Sequence, residues 1–207
     1  MEQLLSLFPH LTEEQRRQFE ALLPLYIEKN AAVNVISRKD IDNLYPNHVI
    51  HSLSIAKFIT PNPGTRFCDL GCGGGFPGIP LAILWPECQF HLIDRIGKKV
   101  RVASEVAEAI GLKNCTFQHG DSGECRQKFD FVISRAVMSL PDLVKASIHL
   151  IDRRSSNKIP KGLICLKGGD LNDEIRQTKR NVLDVPLADF FPGMEYYATK
   201  SLIYCPL

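Results

Sequence analysis

The chain has 207 residues, of which 44% are hydrophobic and 23% charged, the usual proportions of one globular domain with a modest extension. A formal net charge of +2 is too small to indicate nucleic-acid binding by itself, so any contact with RNA must come from local patches. No stretch approaches the ~20 apolar residues of a membrane span, and the beginning of the chain lacks the basic start and small-residue cleavage site of a signal peptide. We therefore expect a cytoplasmic protein.

Two helices are predicted before the first strand. The first begins at a capping box from Thr12 to Gln15 and carries an apolar stripe on one face, formed by Phe19, Leu22, Leu23, Tyr26 and Ile27. Pro24 lies inside this stretch and predicts a kink or an early break. The second helix runs from about residue 46 to 59 and places His48 and His51 near its start, where each would ordinarily be a surface or capping histidine.

These helices have their own apolar stripe, so we expect residues 1–60 to form a helical extension packed on a main domain of residues 61–207. From residue 65 onward strands and helices alternate, which is typical of a doubly wound, mostly parallel α/β sheet. The tail offers two more strands, near 182–188 and 196–204, whose short connection predicts an antiparallel pair. The predicted parallel strands cover residues 65–70, 89–94, 115–119, 129–134 and 161–166, and the predicted helices cover 78–85, 97–110, 141–150 and 170–179.

The cysteines do not suggest a metal or disulfide framework. They form an odd set of seven, without the C-x-x-C spacing or the histidine partners of a zinc site. Most of them fit as small, reduced core residues in strands. Cys72 is the exception because it lies inside a glycine-rich loop.

That loop belongs to the segment from Phe67 to Leu81, FCDLGCGGGFPGIPL, around which the chain is organised. A short apolar run meets glycines and then prolines, which predicts a strand that breaks into a loop and restarts as a helix. Gly71, Gly73, Gly74 and Gly75 provide positive φ angles and let the backbone approach a ligand closely. Free N–H groups at the helix start favour a carboxylate or a phosphate of that ligand.

Two ligand classes compete for this loop. The dinucleotide pattern G-x-G-x-x-G occurs at Gly73, Gly75 and Gly78, but it begins two residues later than the glycine that should close the strand. Asp69 places a carboxylate beside the loop, which would repel a pyrophosphate and attract the ammonium or sulfonium of S-adenosylmethionine. The charge therefore favours the methyl donor as cofactor, with the alternative that Asp69 merely caps loop N–H groups.

The other strand ends should converge on the same ligand, because ligands bind outside the carboxyl ends of parallel strands. Asp94 ends the second strand, 19 residues after Gly75, at about the spacing at which an acidic residue reaches ribose hydroxyls. Gly120 to Gly123, GDSG, follows the third strand and would lie against an adenine edge through its backbone, or form a plain turn.

Arg135 ends the fourth strand at the position that faces the transferred group. Methyltransferases of exocyclic amino groups usually carry a Pro-Pro-aromatic motif there, and carbon-5 enzymes need a Pro-Cys nucleophile, but this chain has neither. A charged hydrogen-bond donor suits an acceptor that already holds a lone pair, such as a ring nitrogen, because the attack then requires alignment and no general base. Arg135 would act by positioning; the structural alternative is a bridge to Asp69 or Asp130.

A family resemblance spans most of the chain. The matching segments are Asn30, Asn34 and Ser37-Arg38, the loop at 67–81, IDRIGKKVR at 93–101, FDFVISRA at 129–136 and LKGG at 166–169. On these segments the sequence resembles the bacterial small-subunit (16S) ribosomal RNA guanine-N7 methyltransferase family, also called glucose-inhibited division protein B. The resemblance implies a Rossmann-like class I S-adenosylmethionine-dependent methyltransferase with an antiparallel C-terminal strand, and methyl transfer to N7 of a guanine.

The predicted donor site combines two sets of residues. The family's donor-binding residues, carried over by position, fall on Gly71, Phe76, Ser122, Gly123 and Arg135. The loop and the strand ends add Asp69, Gly73 and Asp94. The chain departs from the family pattern at Lys29, Asn47, His51 and Asp121, where the family usually has tryptophan, arginine, aspartate and arginine, respectively. These departures concern the acceptor side more than the donor pocket.

Ribosomal RNA, naked or in the assembled small subunit, is expected around the pocket mouth of a monomeric protein. The predicted RNA contacts are Arg38, His48, Lys98, Lys99, Arg101, Arg135 and Lys167. Outlying candidates, for which plain solvated surface is the competing interpretation, are Arg153, Arg154, Lys158 and Lys161. Two other functions compete: a methyltransferase for a small molecule or protein, and a donor-binding ribosome assembly factor without turnover.

Overall fold

A mixed sheet forms the centre of the fold, which a computed structural model describes over residues 1–135, 137–152 and 159–207. Within these ranges the strands are β1 (Arg66–Leu70), β2 (Gln89–Asp94), β3 (Cys115–His119), β4 (Phe131–Arg135), β5 (Gly162–Gly168), β6 (Leu183–Pro186) and β7 (Lys200–Pro206). Their spatial order is β3-β2-β1-β4-β5-β7-β6. Strands β1 to β5 pair in parallel, and β7 is antiparallel to both β5 and β6. The predicted doubly wound fold with an antiparallel C-terminal strand is confirmed.

Helices cover both faces of this sheet. They are α1 (Glu2–Leu7), α2 (Glu13–Ala32), α3 (Ile50–Leu53), α4 (Ile55–Phe58), α5 (Gly78–Leu84), α6 (Gly97–Ala109), α7 (Leu140–Ile148) and α8 (Asn172–Thr178). The rings of Phe67, Phe90 and Phe131 stack on the face that the N-terminal helices, α5 and α6 cover. Cys68 and Val132, which alternate with them, face α7 on the other side.

The first helix does not break at Pro24. The predicted capping box is present, because the Thr12 hydroxyl accepts from the Gln15 N–H and the Gln15 side chain accepts from the Thr12 N–H. Nevertheless α2 continues through Pro24 to Ala32, so the predicted early break is wrong. Proline removes the N–H that would bond the carbonyl of Glu20. The Tyr45 hydroxyl donates to the carbonyl of Phe19 at 2.9 Å and lies 3.4 Å from the carbonyl oxygen of Glu20. It thereby compensates for part of the hydrogen bonding that the helix loses at Pro24.

The second helix is broken into pieces, unlike the continuous helix predicted over 46–59. A π-helical turn (Leu44–Val49) leads into α3, and α4 follows after Ser54. The hydroxyls of Ser52 and Ser54 donate to the carbonyls of His48 and His51, each at 2.6 Å. Serine hydroxyls compete in this way with the regular backbone bonds of a helix, which explains the irregularity.

The N-terminal helices and the sheet share a core. Phe19, Leu22 and Tyr26 are fully buried in the cluster that includes one face of the sheet. Lys29, where the family usually has tryptophan, pairs with Glu105 of α6 at 2.9 Å. The division into two parts at residue 60 stays a prediction. None of the helices in the described ranges is both long and apolar enough to cross a membrane.

Candidate functional site

A cavity of about 1000 Å³ opens at the carboxyl ends of β1, β2 and β4. Ligands of doubly wound sheets bind at this place, where the strand order reverses between β1 and β4. The glycine loop (residues 71–77), the end of β2, the turn after β3 and the end of β4 form its wall, and α7 contributes Asp142 and Lys145. The strand ends thus converge as predicted.

Three of the four glycines have the backbone that the sequence predicts. Gly71, Gly73 and Gly75 have φ angles of +72°, +54° and +105°, a region that strains any residue with a Cβ atom. Gly74 does not have a positive φ. It is glycine because of close packing, since a Cβ atom there would lie 2.7 Å from the Cβ of Val35.

Asp69 lies beneath the glycine loop and is not among the residues that line the cavity. Its side chain is fully buried, and its Oδ2 accepts a 2.7 Å hydrogen bond from the N–H of Gly78, the first residue of α5. Burial raises the pKa of this carboxyl to about 7. Asp69 therefore acts as a cap, as in the alternative interpretation, with the first N–H of α5 as its donor. This N–H is one of those predicted to bind an anionic group of the ligand. Its role at the donor stays a prediction.

Asp94 lines the cavity at the end of β2 and organises its surroundings. Its Oδ2 accepts from the N–H of Gly73 at 2.8 Å, and its Oδ1 accepts from the N–H of Ile96 at 2.8 Å. Each carboxylate oxygen has a further lone pair for a ligand hydroxyl. Asp94 thus joins the glycine loop to the end of β2, a function that the sequence did not suggest.

We expect Asp94→Ala to raise the KM for S-adenosylmethionine by roughly 10- to 100-fold, with little change in kcat, because the predicted contacts of its carboxylate with the ribose hydroxyls are made equally in ground and transition states. Steady-state kinetics with varied donor would measure both constants. Asp184→Ala, an exposed carboxylate on the edge strand β6, is the matched control. A collapse of kcat at saturating donor would show that Asp94 also aligns the methyl group.

The turn after β3 forms the wall on the predicted adenine side. Asp121 accepts from the N–H of Gly123 at 2.8 Å through Oδ1 and from Nε of Arg95 at 2.7 Å through Oδ2. These bonds lower the pKa of Asp121. Ser122 and Gly123 both line the cavity. Arg95, which the sequence did not single out, thus places a cation beside Asp121. Asp121 itself stands at a position where the family frequently has arginine.

Arg135 ends β4 at the cavity wall. Its Nη1 donates to the backbone oxygen of Asn47 at 3.3 Å and its Nη2 to Nδ1 of His48 at 3.0 Å. Its Cζ lies 5.1 Å from the centre of the Phe76 ring. Within the described ranges these neutral partners use two of the five guanidinium N–H groups. The others are available to a ligand.

The alternative that Arg135 bridges an aspartate is wrong. Among the described residues, Arg135 forms no ion pair with a carboxylate; its hydrogen bonds go to neutral groups. Asp69 caps α5, and Asp130 lies at the opposite end of β4, where it pairs with Lys161 at 3.0 Å. A partly buried cation without a carboxylate partner is unusual, which directs attention to the ligand it would meet.

Neither histidine of the irregular helix lies on an open surface. His48 has a side chain only 13% exposed, with both ring nitrogens engaged, by Asp40 and Arg135. His51 is buried against Tyr196 and Tyr197, at ring-centroid distances of 5.8 and 5.9 Å. Burial lowers the pKa of His51 well below its ordinary value. The surface or capping interpretation is therefore wrong for His51, and direct RNA contact by His48 stays a prediction.

Tyr26 connects α2 to the glycine loop. Its hydroxyl donates to the carbonyl oxygen of Gly74 at 2.7 Å, and its ring lies 4.9 Å from that of Phe76. The sequence placed Tyr26 only in an apolar stripe, because its spacing in the helix does not reveal the polar end of the side chain. The N-terminal segment thus supports the donor loop directly.

The predicted RNA-binding cations fall into two groups. Lys99 lines the cavity, and Arg38, Lys98 and Arg101 are exposed. Lys167, in contrast, has a side chain only 10% exposed, because its Nζ donates to the carbonyl of Met138 at 2.8 Å and pairs with Glu174 at 2.9 Å. Lys167 thus stabilises the wall through internal bonds.

Among the residues that the structure describes, the outlying cations provide no surface for RNA. Lys161 is 7% exposed and pairs with Asp130, so its interpretation as a surface phosphate contact is wrong. Arg153, Arg154 and Lys158 lie outside the described residues. Within the described ranges, no group of three His, Cys, Asp or Glu side chains could hold a metal ion.

Comparison with known proteins identifies the family. Residues 15–187 match the family model described as "rRNA small subunit methyltransferase G". Relatives named ribosomal RNA small subunit methyltransferase G include that of Bacteroides thetaiotaomicron, 58% identical over 99% of this chain and 98% of the relative. That of Cytophaga hutchinsonii is 46% identical over 96% of each chain.

Solved structures of lower identity share the fold. A mutant of MtNAS in complex with S-adenosylmethionine gives a TM-score of 0.58 at 15% identity, covering 93% of this chain and 76% of that one. An S-adenosylmethionine-dependent methyltransferase from Aquifex aeolicus gives 0.53 at 13% identity, over 79% and 92%. The sheet is thus that of class I methyltransferases. Because the family model matches residues 15–187 and the relatives extend over nearly all of the sequence, the chain belongs to the rRNA small subunit methyltransferase G family.

Proposed function

We propose that this protein transfers the methyl group of S-adenosylmethionine to N7 of a guanine in the RNA of the small ribosomal subunit. Membership of the family supports the donor and the class of RNA. The observation that carries the acceptor chemistry is Arg135, whose guanidinium lies at the cavity wall and bonds only neutral groups in the described ranges.

The cavity suits S-adenosylmethionine in size and in the chemistry of its wall. Its volume of about 1000 Å³ is at the upper end for ligand sites, which leaves room for a base beside the donor. A Cβ atom added to Gly73 would meet nothing within 4 Å, so the loop leaves open space there, next to the carboxylate of Asp94. When bound, the donor supplies an electrophilic methyl group on a sulfonium.

A ring nitrogen fits the acceptor side better than an amino group or a carbon atom. N7 of guanine holds a free lone pair, so its bond to the methyl carbon can form as the carbon–sulfur bond breaks, without removal of a proton. The positive charge moves from sulfur to the purine. Arg135 would donate its remaining N–H groups to O6 of the guanine, which keeps N7 free and aligned.

Exposed cations support the approach of RNA to the cavity mouth. Lys99 and Lys145 line the cavity from α6 and α7, and Lys98 and Arg101 extend the basic face of α6. Such side chains bind phosphates and position an RNA without reading its sequence. We propose that the protein acts on the subunit in the cytoplasm as a monomer.

The test is methylation of ribosomal RNA that lacks the modification. Small subunits from a strain without the gene are incubated with the purified protein and labelled donor, and N7-methylguanosine is mapped by chemical cleavage. We expect label at a guanine of the small-subunit RNA and none after RNase treatment of the substrate. Label that survives in a small molecule or protein would contradict the proposal, as would donor binding without any transfer.

A further inference from the structure

A chain of hydrogen bonds reaches Arg135 from the N-terminal segment. The Asp40 Oδ2 lies 2.8 Å from Nε2 of His48, and the Nδ1 of the same ring lies 3.0 Å from Nη2 of Arg135. Asp40 immediately precedes the short turn Ile41–Asn43, whereas Arg135 is at the end of β4. Two residues of the N-terminal segment are thus linked to Arg135, which lies 87 residues after His48 in the sequence.

The chemistry of the end groups determines the proton on His48. A guanidinium can only donate hydrogen bonds, so the Nδ1 that faces Arg135 must offer its lone pair. The proton of the neutral ring is then on Nε2, where the carboxylate of Asp40 accepts it. In the other tautomer the Nδ1–H would point at an N–H of Arg135, and the lone pair of Nε2 would face the carboxylate of Asp40. An imidazolium would place a second cation against Arg135.

Asp40 is held in place for this role. Its Oδ1 accepts from Nδ2 of Asn47 at 2.7 Å and from Nδ2 of Asn43 at 3.2 Å. These bonds and that from His48 lower the pKa of Asp40, although burial acts in the opposite direction. A carboxylate fixed by three donors has one defined direction toward the ring.

We propose that Asp40 is a positioning residue for methyl transfer, which acts through His48 by holding its Nε2–H tautomer and thereby fixes the guanidinium of Arg135 at the cavity wall. The effect on transfer rests on the proposed function; the tautomer does not. Arg135 needs this support because it forms no ion pair with a carboxylate in the described part of the chain.

The surroundings of His48 keep the ring neutral. Asp40 faces it from the preceding turn, Arg135 from β4 and the Phe76 ring from the glycine loop, 5.5 Å away, while His51 follows three residues later in α3. Burial and the charge of Arg135 lower the pKa of His48 to about 4, against the opposing effect of Asp40. The neutral tautomer therefore persists from neutral pH down to about pH 5.

The first experiment measures the tautomer in the wild-type protein. Long-range ¹H–¹⁵N correlation spectra distinguish the ring nitrogens of the six histidines, and the loss of one set in His48→Asn assigns His48. We expect a protonated Nε2 and an unprotonated Nδ1 at pH 7, unchanged at pH 5. An Nδ1–H tautomer, or an imidazolium at pH 7, would overturn the proposal.

The second experiment compares single-turnover methylation with donor affinity. For Asp40→Ala we expect the rate at saturating donor to fall ~10- to 100-fold, as for other residues that orient a functional side chain, with donor affinity within about twofold. Retained donor affinity also reports that the variant is folded. Asp42→Asn, an exposed carboxylate two residues away, is the control with the same loss of charge and should keep the wild-type rate.

A double-mutant cycle tests whether Asp40 acts through His48. In His48→Asn the amide oxygen can accept from Arg135 near the place of Nδ1, but the shorter side chain no longer reaches Asp40. Adding Asp40→Ala to His48→Asn should therefore change the rate by less than about twofold. Losses that multiply, or a wild-type rate in Asp40→Ala alone, would overturn the proposal. Because the tautomer is read without turnover, absence of methylation by the wild type would count against the proposed function alone.

Discussion

Arg135→Ala is expected to lower the rate of methyl transfer to the small-subunit substrate by more than ~100-fold, because one group that aligns the acceptor is removed. Donor binding should weaken only modestly, by about 1 to 3 kcal/mol for one charge-assisted contact. The difference arises because the guanidinium has free N–H groups for both ligands at the cavity wall. Calorimetry of donor binding and single-turnover methylation on the same folded variant measure the two effects.

Arg135→Lys is the matched variant for this prediction. Lysine keeps the charge, but a single ammonium cannot span the Asn47 carbonyl, the His48 ring and a ligand as the planar fork does. We expect donor affinity to be largely restored and the transfer rate to stay low. Equal losses of affinity and rate in Arg135→Ala would show that Arg135 only binds S-adenosylmethionine. Normal methylation by this variant would show that Arg135 does not belong to the site.

Gly73→Val is expected to abolish measurable binding of S-adenosylmethionine. The φ of Gly73 is +54°, where a β-branched residue costs of order 1–3 kcal/mol. Relaxation of that strain would also move the N–H that bonds Asp94 at 2.8 Å, a charged hydrogen bond of about 1.5–3 kcal/mol. Because the donor must restore this loop conformation when it binds, the combined cost of about 2.5–6 kcal/mol lowers its affinity by roughly 70-fold or more, which calorimetry would detect.

A second glycine offers the control for Gly73→Val. Gly64 has a φ of +81° and, like Gly73, no atom within 4 Å of an added Cβ, but it lies in the turn before β1 and does not line the cavity. Gly64→Val should therefore cost similar stability and leave donor binding intact. A folded Gly73→Val protein with wild-type donor affinity would exclude the glycine loop from the donor site.

The N-terminal segment contributes to the site as well as to the core. Tyr26 supports the glycine loop through the carbonyl of Gly74, and Asp40 and His48 support Arg135. Both sides of the cavity thus depend on residues that precede β1. Truncation of this segment would expose the apolar face of the sheet and would also leave Arg135 without its two hydrogen-bond acceptors.

The sheet and the donor loop could be predicted from the sequence alone. The bounds of β2 and β3 agree with those predicted, and the glycines with positive φ are where the break between β1 and α5 requires them. Apolar runs, turn residues and the alternation of strands with helices are local signals. The family motifs lie in the same segments. These features therefore needed no knowledge of the packing.

Helix continuity was decided by contacts outside the helix. Pro24 would end an isolated helix, but a tyrosine hydroxyl from residue 45 donates beside the carbonyl that proline leaves free, and α2 continues. Ser52 and Ser54 had the opposite effect on the predicted second helix. Proline costs a helix interior about 3 kcal/mol, so the Tyr45 bonds offset part of this cost and the burial of Phe19, Leu22 and Tyr26 in the core offsets the rest. Serine disfavours a helix by less than about 1 kcal/mol, so its hydroxyl bonds are enough to decide the local geometry.

Which charged residues are free to contact a ligand depends on how the whole chain packs. His48 and Arg135 are 87 residues apart in the sequence yet bonded to each other. Lys161 and Lys167 carry the positive charge expected of RNA contacts, but Lys161 pairs with Asp130 and Lys167 with Glu174. The sequence shows that a charge exists and, near a motif, which ligand would attract it. Because a long side chain takes whichever partner the fold brings within about 3–4 Å, its role follows from the packing.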